Sequence, residues 1–207
     1  MTLGSKNNSP PSPLIATDRV FSEKLHRIRD THIEVESILQ SLSALQEENL
    51  CASCTHVCCK EALCQESMDS DFLRFVLGSR AEDYDPQQGW FQPGSGCRLS
   101  YGRPLICYEF FCDRYDTPAV NTPSMMSLRQ LSRAFKRVYA GVYAGQHMLV
   151  VDDITQITAH KLNIIHDRLE SLKTLANNAL RNALPLRPAA GASTESVHEA
   201  HCTKRAK

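Results

Sequence analysis

The stretch "CASCTHVCC" at residues 51–59 places four cysteines within nine positions, two of them adjacent. Of the nine cysteines in the 207-residue chain, eight lie between residues 51 and 112, and only Cys202 stands apart. Thiols grouped this densely indicate a metal site, a disulfide framework or a redox pair, or else buried, inert thiols grouped by an accident of composition. Each alternative implies a different protein, so we interpret the rest of the chain around this segment.

The cellular compartment helps to decide between these alternatives. The first residues lack the apolar run of roughly 7–15 residues that a signal peptide needs, and no run reaches the roughly 18 apolar residues of a membrane span. We therefore expect a cytoplasmic protein, in which clustered cysteines bind metal or act catalytically more often than they form disulfides. The 23 basic and 23 acidic residues balance, which gives no support for general nucleic-acid binding.

The spacing of the first cysteines is typical of a metal-binding knuckle. Two residues separate Cys51 from Cys54, so a tight turn can aim both sulfurs at one ion. The adjacent side chains of Cys58 and Cys59 diverge by about 100° on a helix and about 180° on a strand. Either one of them binds and the other packs, or the two bind different metals. The eight grouped thiols suffice for two tetrahedral zinc sites, or for one iron–sulfur cluster with spares.

A second group reads "GCRLSYGRPLICYEFFC" at residues 96–112. Together the two groups resemble the YkgJ family of zinc- or iron-chelating CxxCxxCC domains. That family has a CxxC, a CC pair, a downstream cysteine, an Arg-Pro dipeptide and, after two further residues, another cysteine; Arg103, Pro104 and Cys107 match its last part. The resemblance covers residues 51–112 and implies metal chelation through seven cysteines. They are Cys51, Cys54, Cys58, Cys59, Cys97, Cys107 and Cys112.

The chain departs from that family pattern in one place. Three residues, "THV", separate Cys54 from Cys58, where the family usually has two. Either Cys58 or Cys59 then takes the inner ligand position, and His56 in the longer stretch is a further candidate ligand. Cys64 lies outside the matched motif and is either a spare ligand or a core residue. The metal stays open between zinc and iron.

The residues around the second group of cysteines suggest how that group is supported. Pro104 restricts the backbone on the approach to Cys107. Arg103 can donate to loop carbonyls or balance the negative charge of thiolates. We expect the aromatic residues here to form a core that shields the metal from water. They are Tyr101, Tyr108, Phe110 and Phe111.

Apolar residues at three- and four-residue spacing predict a long helix over residues 18–50, with Asp18 as its N-cap. His32 and Gln46 interrupt this apolar stripe. Its members are Leu25, Ile28, Val35, Leu39 and Leu42. A stripe of this kind has to pack on another element.

Three further helices are predicted. The stretch "SDFLRFVLG" indicates a short helix capped by Ser70 and ended by Gly78. Longer apolar patterns predict helices over residues 124–144, with Pro123 in the first turn, and over residues 153–182. No strand alternation is strong enough to predict a sheet, and residues 83–96 are expected to form a loop.

The predicted fold class is mainly α, with long helices flanking a small irregular cysteine-rich metal-binding centre. Residues 1–17 and 183–207 are predicted as disordered tails because they are rich in small residues, proline and polar residues. Residues 18–50 form the first helix, residues 51–112 the metal-binding region and residues 113–182 a helical segment.

The favoured function is a metal-binding protein that chelates zinc or iron through the cysteine cluster. About sixty loop-rich residues have too little core to fold alone, and structural zinc can stabilise such a region. The helical faces are then candidate contacts for a protein partner. The alternative is an iron or iron–sulfur redox protein or enzyme, and a metal-free thiol–disulfide switch ranks last. No GxSxG, P-loop, GxGxxG or HExxH motif is present, which leaves enzymatic activity open.

Overall fold

The computed structural model describes residues 13–45, 61–92, 95–108, 123–151 and 153–184. Within these ranges the chain is mainly helical, as predicted, with one short antiparallel hairpin. The α-helices are α1 (Pro13–Ala44), α2 (Glu61–Asp69), α3 (Asp71–Leu77), α4 (Pro123–Val138) and α5 (Ala159–Ala183). No helix in these ranges is long and apolar enough to cross a membrane.

The first helix starts earlier than the sequence pattern predicts. It begins at Pro13 rather than at Asp18, so residues 13–17, predicted to belong to a disordered tail, are helical. Proline suits a first helical turn because its missing N–H is one that would be unpaired there, and because its φ angle is already helical. α1 ends at Ala44, and residues 46–60 lie outside the described part of the chain.

The main core forms where α1, α4 and α5 pack together. The predicted stripe of α1 is confirmed, because all five of its apolar residues are buried in this core. α4 and α5 contribute one apolar face each. These faces contain Leu128, Leu131, Phe135 and Val138 from α4, and Leu162, Ile165, Leu169, Leu172 and Ala176 from α5.

Two helix boundaries differ from the prediction for local reasons. α4 ends at Val138, six residues before position 144, and Gly141 beyond it has a φ of 71°, which suits glycine and does not continue a helix. α5 begins at Ala159, not at position 153. Asp153 instead caps a separate 3-10 turn by accepting the Thr155 backbone N–H at 2.9 Å.

The short helix α3 matches its prediction at both ends. The Ser70 hydroxyl accepts the Leu73 N–H at 3.3 Å, and Gly78 at the C-cap has a φ of 57°. Beyond it the chain is not all loop. The strands β1 (Phe91–Gln92) and β2 (Gly96–Cys97) form a hairpin, which at two residues each is too short to produce an alternating pattern.

Candidate functional site

Two of the seven predicted ligands, Cys97 and Cys107, lie in the described part of the chain. The other five and the candidate ligand His56 lie outside it. Among the described residues, no three His, Cys, Asp or Glu side chains form a group that could hold a metal ion. A metal site built on Cys97 and Cys107 therefore needs ligands from residues outside the described ranges.

Cys97 and Cys107 stand at the two ends of one loop, and both are half-buried. Cys97 ends the strand β2, where it pairs with Phe91 of β1. Cys107 lies in a 3-10 turn, Leu105–Tyr108, and its backbone N–H donates to the Pro104 carbonyl at 2.9 Å. We call residues 97–107 the cysteine loop.

Arg103 lies in the cysteine loop between the two thiols. Its Nε and Nη2 donate to the Leu99 carbonyl at 2.8 and 2.6 Å, which confirms the predicted donation to a loop carbonyl. Burial alone lowers the pKa of Arg103. The negative charges around it outweigh burial and raise this pKa, that of Cys97 most, then those of Tyr108 and Glu36, and that of Cys107 least. Thiolate charge at Cys97, and to a smaller extent at Cys107, therefore favours the charged form of Arg103.

A buried carboxylate on α1 holds the cysteine loop by its backbone. Glu36 is fully buried, and its Oε2 accepts the Gly102 N–H at 2.5 Å while its Oε1 accepts the Arg103 N–H at 3.0 Å. The Tyr108 hydroxyl donates to Oε1 at 2.7 Å. A buried carboxylate is costly unless its oxygens are hydrogen-bonded, and these three donors supply the hydrogen bonds of Glu36.

The close approach of the loop to α1 and α3 depends on glycine at position 102. Gly102 has a φ of +75°, a conformation that residues with a Cβ rarely adopt. A Cβ at this position would lie 2.7 Å from Cδ2 of Leu77 on α3. The backbone N–H can therefore reach Glu36 only because no side chain fills this space.

His32 lies one helical turn before Glu36 and is also fully buried. Its Nδ1 lies 2.5 Å from the Tyr139 hydroxyl. Its Nε2 lies 3.2 Å from Glu36 Oε2, close enough for an ion pair, yet it makes no aligned hydrogen bond to any described residue. Phe72 and Phe135 flank the imidazole ring, with ring centroids 5.3 and 4.9 Å away.

The two tyrosines of this network remain protonated. Burial, followed by the negative charge of Glu36, raises the pKa of both Tyr108 and Tyr139 well above the usual value for a phenol. Tyr108 can therefore act as a donor to Glu36, and it also accepts from Gln40 at 3.3 Å. The expectation that Tyr108 belongs to a core is confirmed by its burial, whereas Phe110 and Phe111 lie outside the described residues.

Cys64 on α2 belongs to a second, smaller apolar cluster. It is buried with Leu77, Trp90 and Leu99, and Cys97 packs against the same cluster. Burial raises the pKa of the Cys64 thiol, the Trp90 backbone hydrogen bond opposes this, and the charge of Cys97 adds to it. A neutral buried thiol is a poor metal ligand, so these surroundings favour the core role for Cys64.

The apolar stripe of α1 predicts no role for Glu36 and only an interruption at His32. A buried network of this kind can be recognised in a sequence as two titratable residues four positions apart on an otherwise apolar helix face. What that signal does not reveal is the partner, because the loop that Glu36 contacts begins 61 positions after it.

Comparison with protein-family models, curated proteins and solved structures finds no match to this chain. The resemblance to the YkgJ family therefore stays a prediction, and it rests on the cysteine spacings and the Arg-Pro dipeptide.

Proposed function

We propose that this protein binds zinc or iron through a cysteine cluster in which the cysteine loop supplies Cys97, Cys107 and the basic group of Arg103. The remaining ligands of the proposal are Cys51, Cys54, Cys58, Cys59 and Cys112. The observation that carries the proposal is that Arg103 closes the loop between the two described cysteines by binding the Leu99 carbonyl, and that thiolate charge at both cysteines raises its pKa. The resemblance to the metal-chelating YkgJ domains supports it independently.

The described residues fit the chemistry of a thiolate site. Metal-bound cysteines are thiolates, and four of them around Zn²⁺ carry a formal charge of about −2. The half-buried guanidinium of Arg103, in the loop between two of these cysteines, would offset part of that charge. Glu36 holds the backbone of the loop between the two thiols at Gly102.

Two kinds of metal fit the proposal and imply different functions. Zn²⁺ has no redox chemistry and would organise the cysteine-rich region as a structural centre. Iron, alone or in an iron–sulfur cluster, would support electron transfer or an enzymatic reaction. The half-burial of Cys97 and Cys107 is compatible with both.

The test is elemental analysis combined with visible absorption spectroscopy, on protein purified without oxygen or chelator. Near-stoichiometric zinc without colour would establish the structural centre, and iron with charge-transfer absorption would establish the redox form. We expect Cys97→Ser and Cys107→Ser to lose most of the metal. Cys202→Ser is the matched control, since it makes the same change outside the proposed ligand set. Metal-free wild-type protein, or full metal content in Cys97→Ser, would contradict the proposal.

A further inference from the structure

We infer that Glu36 is a positioning residue for the thiols of Cys97 and Cys107, acting from α1 through the backbone of the cysteine loop. The inference rests on the proposed function, because it assigns to Glu36 the task of presenting two metal ligands. Glu36 touches neither sulfur in the contacts described above. It binds the two N–H groups at the turn between them and the hydroxyl of Tyr108, the residue that follows Cys107.

Further contacts hold the cysteine loop in the same place. Gln40, one turn after Glu36 on α1, donates to the Ser100 carbonyl at 2.6 Å. The Arg103 side chain closes the loop on itself by binding the Leu99 carbonyl. Glu36 and Gln40 therefore both bind the cysteine loop from α1. Glu36 accepts three hydrogen bonds there.

The chemistry of the contact requires a carboxylate. Three groups donate to Glu36, two to Oε1 and one to Oε2, and His32 Nε2 lies 3.2 Å from Oε2 as a fourth neighbour. A carboxylate presents two acceptor oxygens and no donor, whereas the glutamine amide replaces one oxygen by an NH₂ group. In Glu36→Gln that NH₂ faces at least one N–H or O–H group, so at least one of the three hydrogen bonds is lost. The loop is then released at one point while the helix is unchanged.

The first experiment uses metal-free protein and measures how fast iodoacetamide alkylates each cysteine, by mass spectrometry of peptides. In Glu36→Gln we expect Cys97 and Cys107 to react faster than in wild type, while Cys64 reacts at the wild-type rate. The control is Glu34→Gln, which makes the same change on the exposed face of α1, where Glu34 pairs with Lys173 at 3.0 Å. Equal rates at Cys97 and Cys107 in the two variants would overturn the inference.

The second experiment measures zinc affinity by competition with a chromophoric chelator. Loss of a group that orients metal ligands typically weakens binding roughly 10- to 100-fold, and we expect a loss in that range for Glu36→Gln only. Unchanged zinc affinity would overturn the inference. Wild-type protein that binds neither zinc nor iron would instead contradict the proposed function, while the alkylation rates would still decide whether Glu36 orders the two thiols.

A third variant guards against general unfolding of Glu36→Gln. Tyr108→Phe removes a single donor to Glu36 and keeps the buried ring. If Glu36→Gln loses its helical circular dichroism, the alkylation rates are measured in Tyr108→Phe instead. In Tyr108→Phe, faster alkylation than in wild type at Cys97 and Cys107 but not at Cys64 supports the inference. The same change at all three described cysteines, or no change, overturns it.

Discussion

The Glu36 carboxylate and the Gly102 backbone N–H meet at 2.5 Å, and this contact joins the longest helix to the loop that carries two of the predicted ligands. Each partner depends on the other. The buried carboxylate needs donors, and the N–H reaches it only because position 102 has no side chain. At the scale of single residues, the loop is therefore held by a glycine and a carboxylate rather than by apolar contacts alone.

The first prediction concerns Gly102→Ala. Alanine at position 102 has to adopt a left-handed backbone conformation, which costs about 1–2 kcal/mol. Its Cβ also overlaps Leu77, which costs about 1–3 kcal/mol. We expect the free energy of unfolding to fall by about 2–5 kcal/mol, measured by urea denaturation, as the sum of these two terms.

Gly141→Ala separates the two terms. Gly141 has a φ of +71°, close to that of Gly102, but nothing lies within 4 Å of an added Cβ. Only the conformational cost of about 1–2 kcal/mol is expected there. If the free energy of unfolding falls equally in the two variants, Leu77 moves aside without an energetic cost and the space around Gly102 is not restricted.

At the scale of elements, α5 is anchored by one buried face against α1. Leu169 is fully buried in this contact, whereas Leu175 on the same helix is 59% exposed. We expect Leu169→Ala to lower the free energy of unfolding by about 2–5 kcal/mol and Leu175→Ala to change it by less than about 0.5 kcal/mol. Urea denaturation measures both, and similar losses would contradict the arrangement of α5.

The end of α4 is tied to the following 3-10 turn, Met148–Val150, by His147. Its Nε2 donates to the Lys136 carbonyl at 2.8 Å, and its Nδ1 accepts the Leu149 N–H at 3.3 Å. This pair of bonds requires the neutral imidazole, because protonated Nδ1 cannot accept. Burial, with some help from the Lys136 charge, lowers the pKa of His147, although the hydrogen bond to the Lys136 carbonyl opposes the shift.

A pH dependence follows from that lowered pKa. The unfolded chain binds the proton more readily than the folded one, so protonation favours unfolding. The contribution of His147 is present above the unfolded pKa of about 6.5 and is lost as the pH falls through the lower pKa of the folded state. We expect His147→Asn to lose less stability than wild type between about pH 7.5 and 5.5 in urea denaturation. Identical losses would contradict this role.

At the scale of the whole molecule, two apolar clusters of different size share the structure. The larger joins α1, α4 and α5, and the smaller lies under the hairpin around Cys64 and Trp90. Four described buried residues make up the smaller one, and the larger one also includes buried residues of the cysteine-rich region, namely Phe72, Leu73, Val76, Leu105 and Tyr108. Under the proposed function, a bound metal would add to the stabilisation that this burial gives.

Metal removal tests this account. A ligand that binds only the folded state adds about 2.7 kcal/mol when its concentration is 100 times its dissociation constant. We therefore expect a chelator to lower the urea midpoint of wild-type protein and of Cys202→Ser, but not that of Cys97→Ser. A midpoint that does not respond to chelator in the wild type would contradict a stabilising metal.

The sequence by itself determined the mainly helical class, the buried stripe of α1, the Ser70 cap and the grouping of the cysteines. These features are local, because a period of three to four residues or a single capping hydroxyl acts within one or two turns. The start of α1 at Pro13 and the break before α5 also depend on local sequence. The prediction missed both because Asp18 and Asp153 are equally suitable helix caps.

Only the tertiary structure decided what Glu36 and His32 do. Glu36 binds groups 66, 67 and 72 positions away, and His32 meets Tyr139 across 107 positions. No periodicity in the chain encodes such a pairing, since it arises when packing places Glu36 against the cysteine loop and His32 against Tyr139. Burial then makes each of them depend on its partners, because a polar group that has lost water must find its hydrogen bonds within the protein.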